Sequence, residues 1–454
     1  MQLCWLLCHS VSTHTKYKLF QYLKENRKDS RCCSKFFVCS PNRYITCLEK
    51  EPLASTGHLE RPLPTLVPRL IKSMEQVRPE QWNQLISEDS CPFTEYEWLF
   101  GLEKCGCVSE QVGWQPLHLL LEDPNSKTIY AVLPLYVKTH SFGEFIFDYV
   151  WQDVASSLSL KYYPKLISMV PFTPVTSRRI LTISEMQRPY LLSQMAECLK
   201  DLVSELSIAS INLNFVADDE VSIFTRHGFL HRKSIQYHFR NDCNGRPFHN
   251  FDEFLQMMKS KKRIQVKRER RRIYDEENIR LQVLLAHQIP SELFSQMYQL
   301  YKSTIDRFFY GRLYLSPSFF QYLAENYRKY LCFIVAYRDD KLIAGTFNMI
   351  KNGRFHGRYW GCLEQVSGLH FETCYYKPIE YCIEKGLQSV EPGAGGGDFK
   401  FVRGFNPEIV HSLHYFTNTR FAKIMEAFIK EESLNIDYVC SRLNEQSTLR
   451  KSDV

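Results

Sequence analysis

Residues 331–362 read LCFIVAYRDDKLIAGTFNMIKNGRFHGRYWGC, and this stretch decides the fold. Its three runs at 331–337, 342–350 and 354–362 are rich in β-branched and aromatic residues, which predicts three β-strands. The dipeptides Asp339-Asp340 and Asn352-Gly353 separate the runs and are typical of turns. The stretch therefore predicts a three-stranded meander.

The same order of elements occurs twice along the chain. After the meander, residues 371–385 have the spacing of an amphipathic helix that ends at Gly386, and strands follow at 388–391 and 411–416. The first half gives strands at 117–121, 128–138 and 145–150, a helix at 190–206, a strand at 209–215, a short helix at 219–227 and a closing strand at 229–240. The sequence predicts a mixed α/β (α+β) fold of two tandem lobes, each a mixed twisted sheet flanked by helices. The predicted lobes are residues 73–245 and 246–440, joined by a helical stretch over 251–326.

Length and composition exclude several classes of protein. The chain has 454 residues, 44% hydrophobic and 24% charged, which excludes a wholly disordered chain and a small disulfide scaffold. The apolar runs, such as residues 129–137, are shorter than the roughly 20 residues of a membrane-spanning helix. The sixteen cysteines show no repeated Cys-x-x-Cys and no histidine pair at zinc spacing, so we expect reduced thiols and no metal.

Residues 1–72 are predicted to be a leader and linker, and residues 441–454 a tail. The first 48 residues hold eight Lys or Arg and two acids, together with many Ser and Thr. This composition is typical of an organelle transit peptide and predicts a plastid or mitochondrial location, with the cytoplasm otherwise. A disordered extension or a wrongly assigned start codon explains it equally well.

One segment concentrates the positive charge of the body. Residues 259–272 contain nine Lys or Arg and one acid, whereas the rest of the chain beyond residue 48 is net negative. If the segment is a helix, Lys259, Arg263, Lys267, Arg270 and Arg271 share one face. Because Arg suits bidentate contacts with phosphate, we predict that Lys262, Arg263, Lys267 and Arg270 hold donor phosphates of a nucleotide, coenzyme A or tRNA. A solvated surface helix is the alternative. We expect no DNA partner, since the charge is confined to one segment.

A glycine-rich segment follows the predicted strand at 388–391. It reads EPGAGGGDFK over residues 391–400, and it is neither a dinucleotide fingerprint nor a Walker loop. Its main-chain N–H groups are suited to an anion or a developing oxyanion. Glu391 at the strand end is a candidate base toward an amine, and Lys400 and Arg403 supply positive charge. A simple surface turn is the alternative.

Two further clusters are candidate binding walls. Arg358 and Trp360 share one face of the predicted strand, and His370 and Glu372 begin the following helix, at the kind of junction where α/β sheets place ligands. Residues 147–153 gather aromatic side chains around two carboxylates, which suits a binding wall or plain core equally well.

Several motifs agree in order with one known family. They are FDYVW at 147–151, YYPK at 162–165, VPFTP at 170–174, KRIQVKRERRR at 262–272, GRYWGC at 357–362, LHFE at 369–372 and CYY at 374–376. Together they resemble the Fem-like "peptidoglycan biosynthesis/recognition" family of the GNAT N-acyltransferase superfamily, from about residue 88 to residue 416.

The resemblance implies two GNAT-like lobes and an acyltransferase active site. Phe399, Lys400 and Phe405 are similar to the Phe-Lys-x-x-Phe region of the Fem aminoacyltransferases, in which the Lys belongs to the active site; Phe405 is displaced in spacing here. The usual GNAT pyrophosphate loop is absent between Trp360 and Phe371. That absence favours a Fem-like donor, or a degenerate site, over acetyl-CoA.

The sequence thus predicts an N-acyltransferase that moves an acyl or aminoacyl group, from aminoacyl-tRNA or acyl-CoA, to an amine. Lys400 is assigned to the developing anion, and Glu391 or His370 to the proton path. The predicted substrate-binding residues are Asp148, Trp151, Arg358, Trp360, Glu372, Tyr376, Phe399 and Arg403. A non-catalytic module that binds peptide, glycan or RNA on a degenerate GNAT fold is the alternative. No resident cofactor is predicted beyond the donor itself.

Overall fold

The computed structural model describes residues 64–308 and 311–449. Within them the strands are β1 Val67–Ile71, β2 Trp114–Pro116, β3 His118–Glu122, β4 Ile129–Leu133, β5 Tyr136–Lys138, β6 Lys165–Ser168, β7 Leu181–Thr182, β8 Ser210–Val216, β9 Leu230–Arg240, β10 Arg280–Leu285, β11 Leu331–Arg338, β12 Lys341–Lys351, β13 Arg354–Cys362, β14 Ser389–Glu391 and β15 Asn406–Phe416. The α-helices are α1 Pro79–Asn83, α2 Tyr96–Lys104, α3 Tyr149–Ser157, α4 Arg188–Glu205, α5 Asp218–Arg226, α6 Phe251–Met257, α7 Ser260–Arg271, α8 Ser291–Ile305, α9 Pro317–Asn326, α10 Leu369–Phe371, α11 Lys377–Glu384, α12 Gly397–Phe401 and α13 Thr419–Glu445. A π-helical turn at Glu372–Tyr376 joins α10 to α11, and another at Arg272–Glu276 extends α7.

These strands form two sheets. The large one has eleven strands in the order β10-β11-β12-β13-β14-β9-β15-β8-β6-β5-β2, and the small one has the order β1-β3-β4-β7. In the second half β11, β12 and β13 form an antiparallel meander, and β14 adds in parallel to β13. In the first half β5 and β6 are antiparallel, and β8 adds in parallel to β6. The predicted mixed fold with a repeated order of elements is confirmed.

The two halves exchange their last strands. β9, which closes the first half, pairs with β14 and β15 of the second half. β15, which closes the second half, pairs with β8 of the first. The β9–β15 pair lies near the centre of the large sheet and extends from Asn406↔His238 to His414↔Leu230. Each lobe is therefore completed by a strand of the other.

The largest hydrophobic cluster also spans both halves. Trp98 of α2 is buried and packs edge-on against Phe319 of α9, with 5.1 Å between ring centroids. Phe172 of the first half stacks on Tyr314 of the second at 4.7 Å. Aromatic pairs of this kind combine a large buried area with preferred geometry. This shared cluster therefore fixes one half against the other.

The meander that decides the fold forms as predicted. Asp339 and Asp340 have φ angles of 48° and 59°, and Asn352 and Gly353 have 50° and 70°. Two successive positive φ angles match the right-handed twist of the flanking strands, and Asn, Asp and Gly tolerate them best. The turn residues therefore set the register of all three strands.

Two strand predictions in the first half were wrong. Residues 145–150 are not a strand, because α3 begins at Tyr149 and the Asp148 carboxylate is drawn inward to Lys165. The aromatic residues that suggested a strand are partly outside: Phe147 is 47% exposed. Residues 128–138 form two strands instead of one, since Pro134 lies between β4 and β5 and has no N–H for a strand ladder.

Three segments form helices or strands that the sequence analysis did not predict. β1 begins at Val67, inside the predicted linker, and pairs with β3. β10 lies inside the predicted helical stretch and covers the edge of β11. α13 extends into the predicted tail as far as Glu445. The prediction of a targeting leader falls largely on residues 1–63, which lie outside the described residues. In the described part of the chain no helix has both the length and the apolar character to span a membrane.

Candidate functional site

The large sheet opens where β13 and β14 diverge. Their parallel pairing ends at His356↔Glu391. One residue further on, β13 bulges against β12, because Phe347 faces Tyr359 and Asn348 faces Gly357, which leaves Arg358 unopposed. The side chain of Arg358 is only 2% exposed, yet the residue as a whole is partly exposed. The exposed part of Arg358 is therefore its main chain. The bulge thus presents free backbone at the opening.

Two glycines allow the strands to approach each other at this opening. A Cβ on Gly393 would lie 3.2 Å from the Gly357 carbonyl oxygen, and the φ of Gly393 is +82°. A Cβ on Gly357 would lie 3.3 Å from the Cα of Pro392. Side chains at either position would push the loop away from β13. The glycine-rich segment therefore closes one end of the opening.

Lys400 lies at the same place. It is on α12, is 2% exposed, and donates a hydrogen bond from Nζ to the Gly393 carbonyl oxygen. Since Gly393 abuts Gly357, the ammonium group lies beside the point where β13 and β14 part. A buried ammonium of this kind is a fixed positive charge at the opening of the sheet.

His370, which contacts Trp360, lies within electrostatic reach of Lys400. Trp360 of β13 and His370 of α10 meet edge to face at 5.3 Å, and Tyr375 is also 5.3 Å from the imidazole. Burial, with help from Arg403 and Lys400, lowers the pKa of His370 to about 4. The imidazole is therefore neutral at pH 7. The structure brings together Lys400, His370, Trp360 and Arg403, which the sequence predicted separately.

Arg403 connects this cluster to the basic helix. Its guanidinium lies 3.4 Å from the centroid of the Phe371 ring, and its Nη2 is 2.9 Å from Oε1 of Glu269. The hydroxyl of Tyr376 donates to the same carboxylate. Phe399 is half exposed at the outer edge, 5.8 Å from Phe371. Glu269 was missed as a site residue; its signal was that it is the one acid within a run of nine cations.

Glu391 has a different environment from the one predicted. Its Oε2 is 3.1 Å from Nδ1 of His356, and it faces Arg358 and His238 as well. Burial acts to raise the pKa of Glu391, but these neighbours outweigh it and hold the pKa well below the usual range. A carboxylate so stabilised is a poor proton acceptor. Of the two predicted residues on the proton path, His370 is the one that contacts Trp360 and lies within electrostatic reach of Lys400 and Arg403.

Arg358 is buried with an unused hydrogen-bonding edge. It stacks on Phe93, and Nη1 donates to the Gly357 carbonyl oxygen at 2.7 Å. Its Nε and Nη2 have no hydrogen-bond partner among the described residues, and Glu391 lies 3.8 Å from Nη2. In Arg232 and in Arg240, by contrast, Nε and Nη2 both donate to one carboxylate, that of Glu432 and of Glu408 respectively. The guanidinium of Arg358 therefore has a buried Nε–Nη2 edge beside the opening that makes no hydrogen bond.

The basic segment is the helix that the sequence predicts, but its cations differ in role. Arg270 lies 3.2 Å from Glu372 and 2.9 Å from Glu380, and Glu372 is only 1% exposed. Arg270 thus packs α7 against the π-helical turn through Glu372 and against α11 through Glu380. This pairing does not favour the predicted roles of Arg270 in donor binding and of Glu372 in substrate binding. Lys267 borders a shallow cleft that also contains acids.

Lys262 and Arg263 lie nearer the start of α7, both half-buried. Arg263 Nη1 is 3.5 Å from the Gln256 carbonyl oxygen, at the limit of a hydrogen bond. Lys262 lies seven residues before Glu269, about two helical turns, and so on the same face of the helix. Of the four predicted donor-binding residues, Lys262 is on the side of the helix that faces Arg403.

Asp148 and Trp151 belong to a separate buried cluster in the first half. Asp148 Oδ2 accepts hydrogen bonds from Lys165 and from Tyr162, and Lys165 also contacts Glu144 at 2.7 Å. Trp151 is 1% exposed and packs against Arg232. Sequence reasoning missed Lys165 and Glu144, although Lys165 ends the YYPK motif. Asp148 and Trp151 are therefore assigned to the first-half cluster, while the lysine and histidine site is in the second half.

The fold and the site together define a class of protein. Two halves with the same order of meander, helix and parallel strand form a two-lobed mixed α/β fold whose shared sheet opens beside a bulge. A family model described as peptidoglycan biosynthesis/recognition, FemAB-like, matches residues 73–451. The chain belongs to this FemAB-like family. Among the described residues no group of three or more His, Cys, Asp or Glu side chains is placed to hold a metal ion.

Solved structures with similar folds share little sequence with the chain. FemX is 11% identical, covering 77% of this chain and 98% of its own, with a TM-score of 0.47. The C-terminal domain of a putative lysylphosphatidylglycerol synthetase from Agrobacterium fabrum is 11% identical, covering 77% of this chain and 95% of its own, with a TM-score of 0.47. A tandem GNAT protein from the clavulanic acid biosynthesis pathway is 9% identical, covering 78% and 99%, with a TM-score of 0.38. No curated protein matches the sequence.

Proposed function

We propose that the protein is an N-acyltransferase that moves an acyl or aminoacyl group from an activated donor to an amine. The observation that carries this proposal is the position of the Lys400 ammonium beside the opening between β13 and β14. Membership in the FemAB-like family supports it. The site has the parts that acyl transfer needs: exposed backbone to hold an extended donor, a fixed cation and a neutral imidazole.

In the proposed reaction the amine nitrogen attacks the carbonyl carbon of the donor. A C–N bond forms, and the bond from that carbon to the ester oxygen or thioester sulfur of the donor breaks. Negative charge develops on the carbonyl oxygen, which the Lys400 ammonium stabilises. One proton passes from the nitrogen to the departing oxygen or sulfur by way of His370, which is unprotonated at pH 7 because its pKa is about 4.

The donor is proposed to be anionic, an aminoacyl-tRNA or an acyl-CoA. The outer face of α7 supports this choice, because Lys261, Lys267, Arg268 and Arg271 are exposed while Glu269 holds the helix to Arg403. Phosphates on that face would neutralise mutually repelling charges. Charge reversal at Lys267 and Arg268 should raise the KM for the donor more than it lowers kcat.

The test measures donor turnover by the full chain. Deacylation of alanyl-tRNA and release of thiol from acetyl-CoA are each followed with a mixture of peptide amines as acceptors. The wild type should turn over one of the two donors, and Lys400→Met should be at least about 100-fold slower. Lys385→Met, at an exposed position after α11, is the matched control and should retain activity. Full activity in Lys400→Met refutes the assignment; donor binding without turnover by the wild type supports the non-catalytic module instead.

A further inference from the structure

A second cleft lies between the two halves, outside the cluster around Lys400. It has a volume of about 650 Å³, and none of the predicted site residues lines it. Its first-half wall includes Val112, His140 and Phe142, and its second-half wall is the segment 312–316 that leads into α9. Because both halves form it, the cleft exists only in the assembled two-lobed fold.

One strand separates this cleft from the proposed acyl-transfer site. Tyr359 and Trp360 are consecutive in β13 and therefore lie on opposite faces of the sheet. The Tyr359 hydroxyl donates to the carbonyl oxygen of Phe172, a residue of the cleft, at 3.3 Å. Trp360 contacts His370 on the other face. The cleft is thus separate from the Lys400 cluster, and its own lining decides what it binds.

The walls of the cleft are largely apolar. Val112 and Leu313, one from each half, are 41% and 43% exposed. Tyr314 stacks on Phe172 with ring planes 10° apart. The larger aromatic rings of the lining are those of Trp114, Phe142, Phe172, Tyr298 and Tyr314. Exposed apolar groups on both walls of a cavity, together with aromatic rings, suit a flat apolar ligand.

The first-half wall is closely packed. Gly113 has a φ of +69°, and a Cβ there would lie 2.5 Å from Nε2 of His140. Gly143 has a φ of +83°, and a Cβ there would lie 2.7 Å from the Phe172 ring. Both positions need glycine, because a side chain would push the loops apart. The two loops therefore form a fixed wall.

The lining carries positive charge with no acid to balance it. Among the described residues that line the cleft there is no Asp or Glu, and Arg312 is the arginine among them. The Arg312 guanidinium lies 3.5 Å from the centroid of the Phe142 ring. Stacking of this kind uses the flat face of the guanidinium and leaves its N–H edges for an anion. The cleft therefore favours an anionic ligand over a cationic one.

The neighbouring basic groups leave Arg312 as the cation that a ligand reaches. His140 accepts at Nδ1 from Nζ of Lys138 at 3.2 Å, and its Nε2 lies 3.0 Å from the Val112 carbonyl oxygen. Burial, with the charges of Lys138 and Arg312, lowers the pKa of His140, so the imidazole is neutral at pH 7. Lys138 is fully buried and also donates to the Phe142 carbonyl oxygen. One accessible guanidinium matches one carboxylate.

We infer that this cleft binds a small molecule with a flat aromatic ring and one carboxylate, with the carboxylate on Arg312 and the ring against Val112 and Leu313. The inference goes beyond acyl transfer and does not depend on it. An amine does not fit, because the cleft has no carboxylate to pair with its charge. A polyphosphate does not fit either, because its charges need more than one accessible cation.

Three probes of matched shape test this inference. Naphthalene-2-carboxylate has the ring and the anion, naphthalene-2-carboxamide lacks the charge, and decahydronaphthalene-2-carboxylate lacks the flat ring. Their affinities for the full chain are measured by isothermal titration calorimetry. The wild type should bind naphthalene-2-carboxylate about tenfold more tightly than either of the others, and Arg312→Gln should lose the preference over the carboxamide. Arg226→Gln, at the exposed end of α5, is the control and should keep it.

A second pair of variants places the ligand without changing Arg312. Val112→Glu should bind naphthalene-2-carboxylate several-fold more weakly than Val112→Gln, whereas the two should bind the carboxamide equally. Lys400→Met should bind all three probes as the wild type does, whether or not donor turnover is found. Equal binding of carboxylate and carboxamide by the wild type, no binding of either, or a preference that survives in Arg312→Gln overturns the inference. Loss of binding in Lys400→Met overturns it as well, because the probe would then occupy the other site.

Discussion

Glu269 lies with its Oε1 2.9 Å from Nη2 of Arg403, and this contact joins the basic helix to the segment just after α12, the helix that carries Lys400. Arg403 is 2% exposed, and its N–H lies 2.9 Å from the Lys400 carbonyl oxygen. The one acid of the basic segment therefore helps to fix the position of the helix, together with the pairing of Arg270 with Glu372 and Glu380. Lys261, Lys267 and Arg268 are exposed on its outer face.

Glu269→Gln should destabilise the fold by about 2 kcal/mol, because it removes the charge that pairs with a buried guanidinium. Denaturation with urea measures the change. Glu276→Gln, an exposed acid just beyond the same helix, is the matched control and should cost less than about 0.5 kcal/mol. Equal effects from the two variants would show that the Glu269–Arg403 contact contributes nothing.

Gly393→Ala should cost more stability than Gly245→Ala. Both glycines have φ angles above +80°, so both variants include the strain of a left-handed alanine, about 1 kcal/mol. A Cβ on Gly245 meets nothing within 4 Å, whereas one on Gly393 lies 3.2 Å from the Gly357 oxygen. The difference between the two free energies of unfolding thus isolates the close approach at the opening. If the two values agree, β13 and the loop are not held together there.

Arg358→Met should change stability by less than Arg232→Met. Arg232 fills both oxygens of Glu432, so its removal breaks two charge-assisted hydrogen bonds and costs roughly 2 kcal/mol. Arg358 leaves Nε without a hydrogen-bond partner and has only a 3.8 Å ion pair to Glu391 at Nη2, so a methionine of similar length breaks a weaker contact and removes a buried, unsatisfied N–H. Thermal unfolding of the two variants checks the order. A larger loss for Arg358→Met would mean that its free edge is already occupied in solution.

The fold was predictable where local chemistry decides it. Asp339-Asp340 and Asn352-Gly353 set the turns, and Gly386, just beyond the end of α11, is the stop signal of that helix. The exchange of β9 and β15 was not predictable, because the residue pattern of each strand is the same whether it pairs within its own lobe or with the other lobe. Non-local pairing of this kind is determined by the whole sheet, which composition and periodicity do not report.

The site was predictable in part for the same reason. Lys400 and His370 stand out as residue types beside a glycine-rich loop and a helix start, and in the folded chain the charge of Lys400 acts on the His370 imidazole. Which arginine of the basic segment is paired could not be read from the sequence, since the partners of Arg270 lie about 100 residues further along the chain. The low pKa of Glu391 has a similar origin: it depends on His238 and His356, which only the folded sheet places beside it.

His370 should make the protein less stable as the pH falls below about 6.5. The pKa of His370 in the folded protein is about 4, below its unfolded value of 6.5. Between these pH values the unfolded chain therefore binds more protons, and the free energy of unfolding falls as the pH falls. The share of the loss that His370 contributes should reach roughly 2 kcal/mol at pH 4.5 relative to pH 7. In His370→Gln this part of the pH dependence disappears, whatever the variant's stability at pH 7. Urea denaturation across pH 4.5–7 measures both slopes, and His287→Gln, at an exposed position, should keep the wild-type slope. A slope unchanged in His370→Gln would mean that the imidazole is not buried beside Lys400 and Arg403, and the proton path would then need another acceptor.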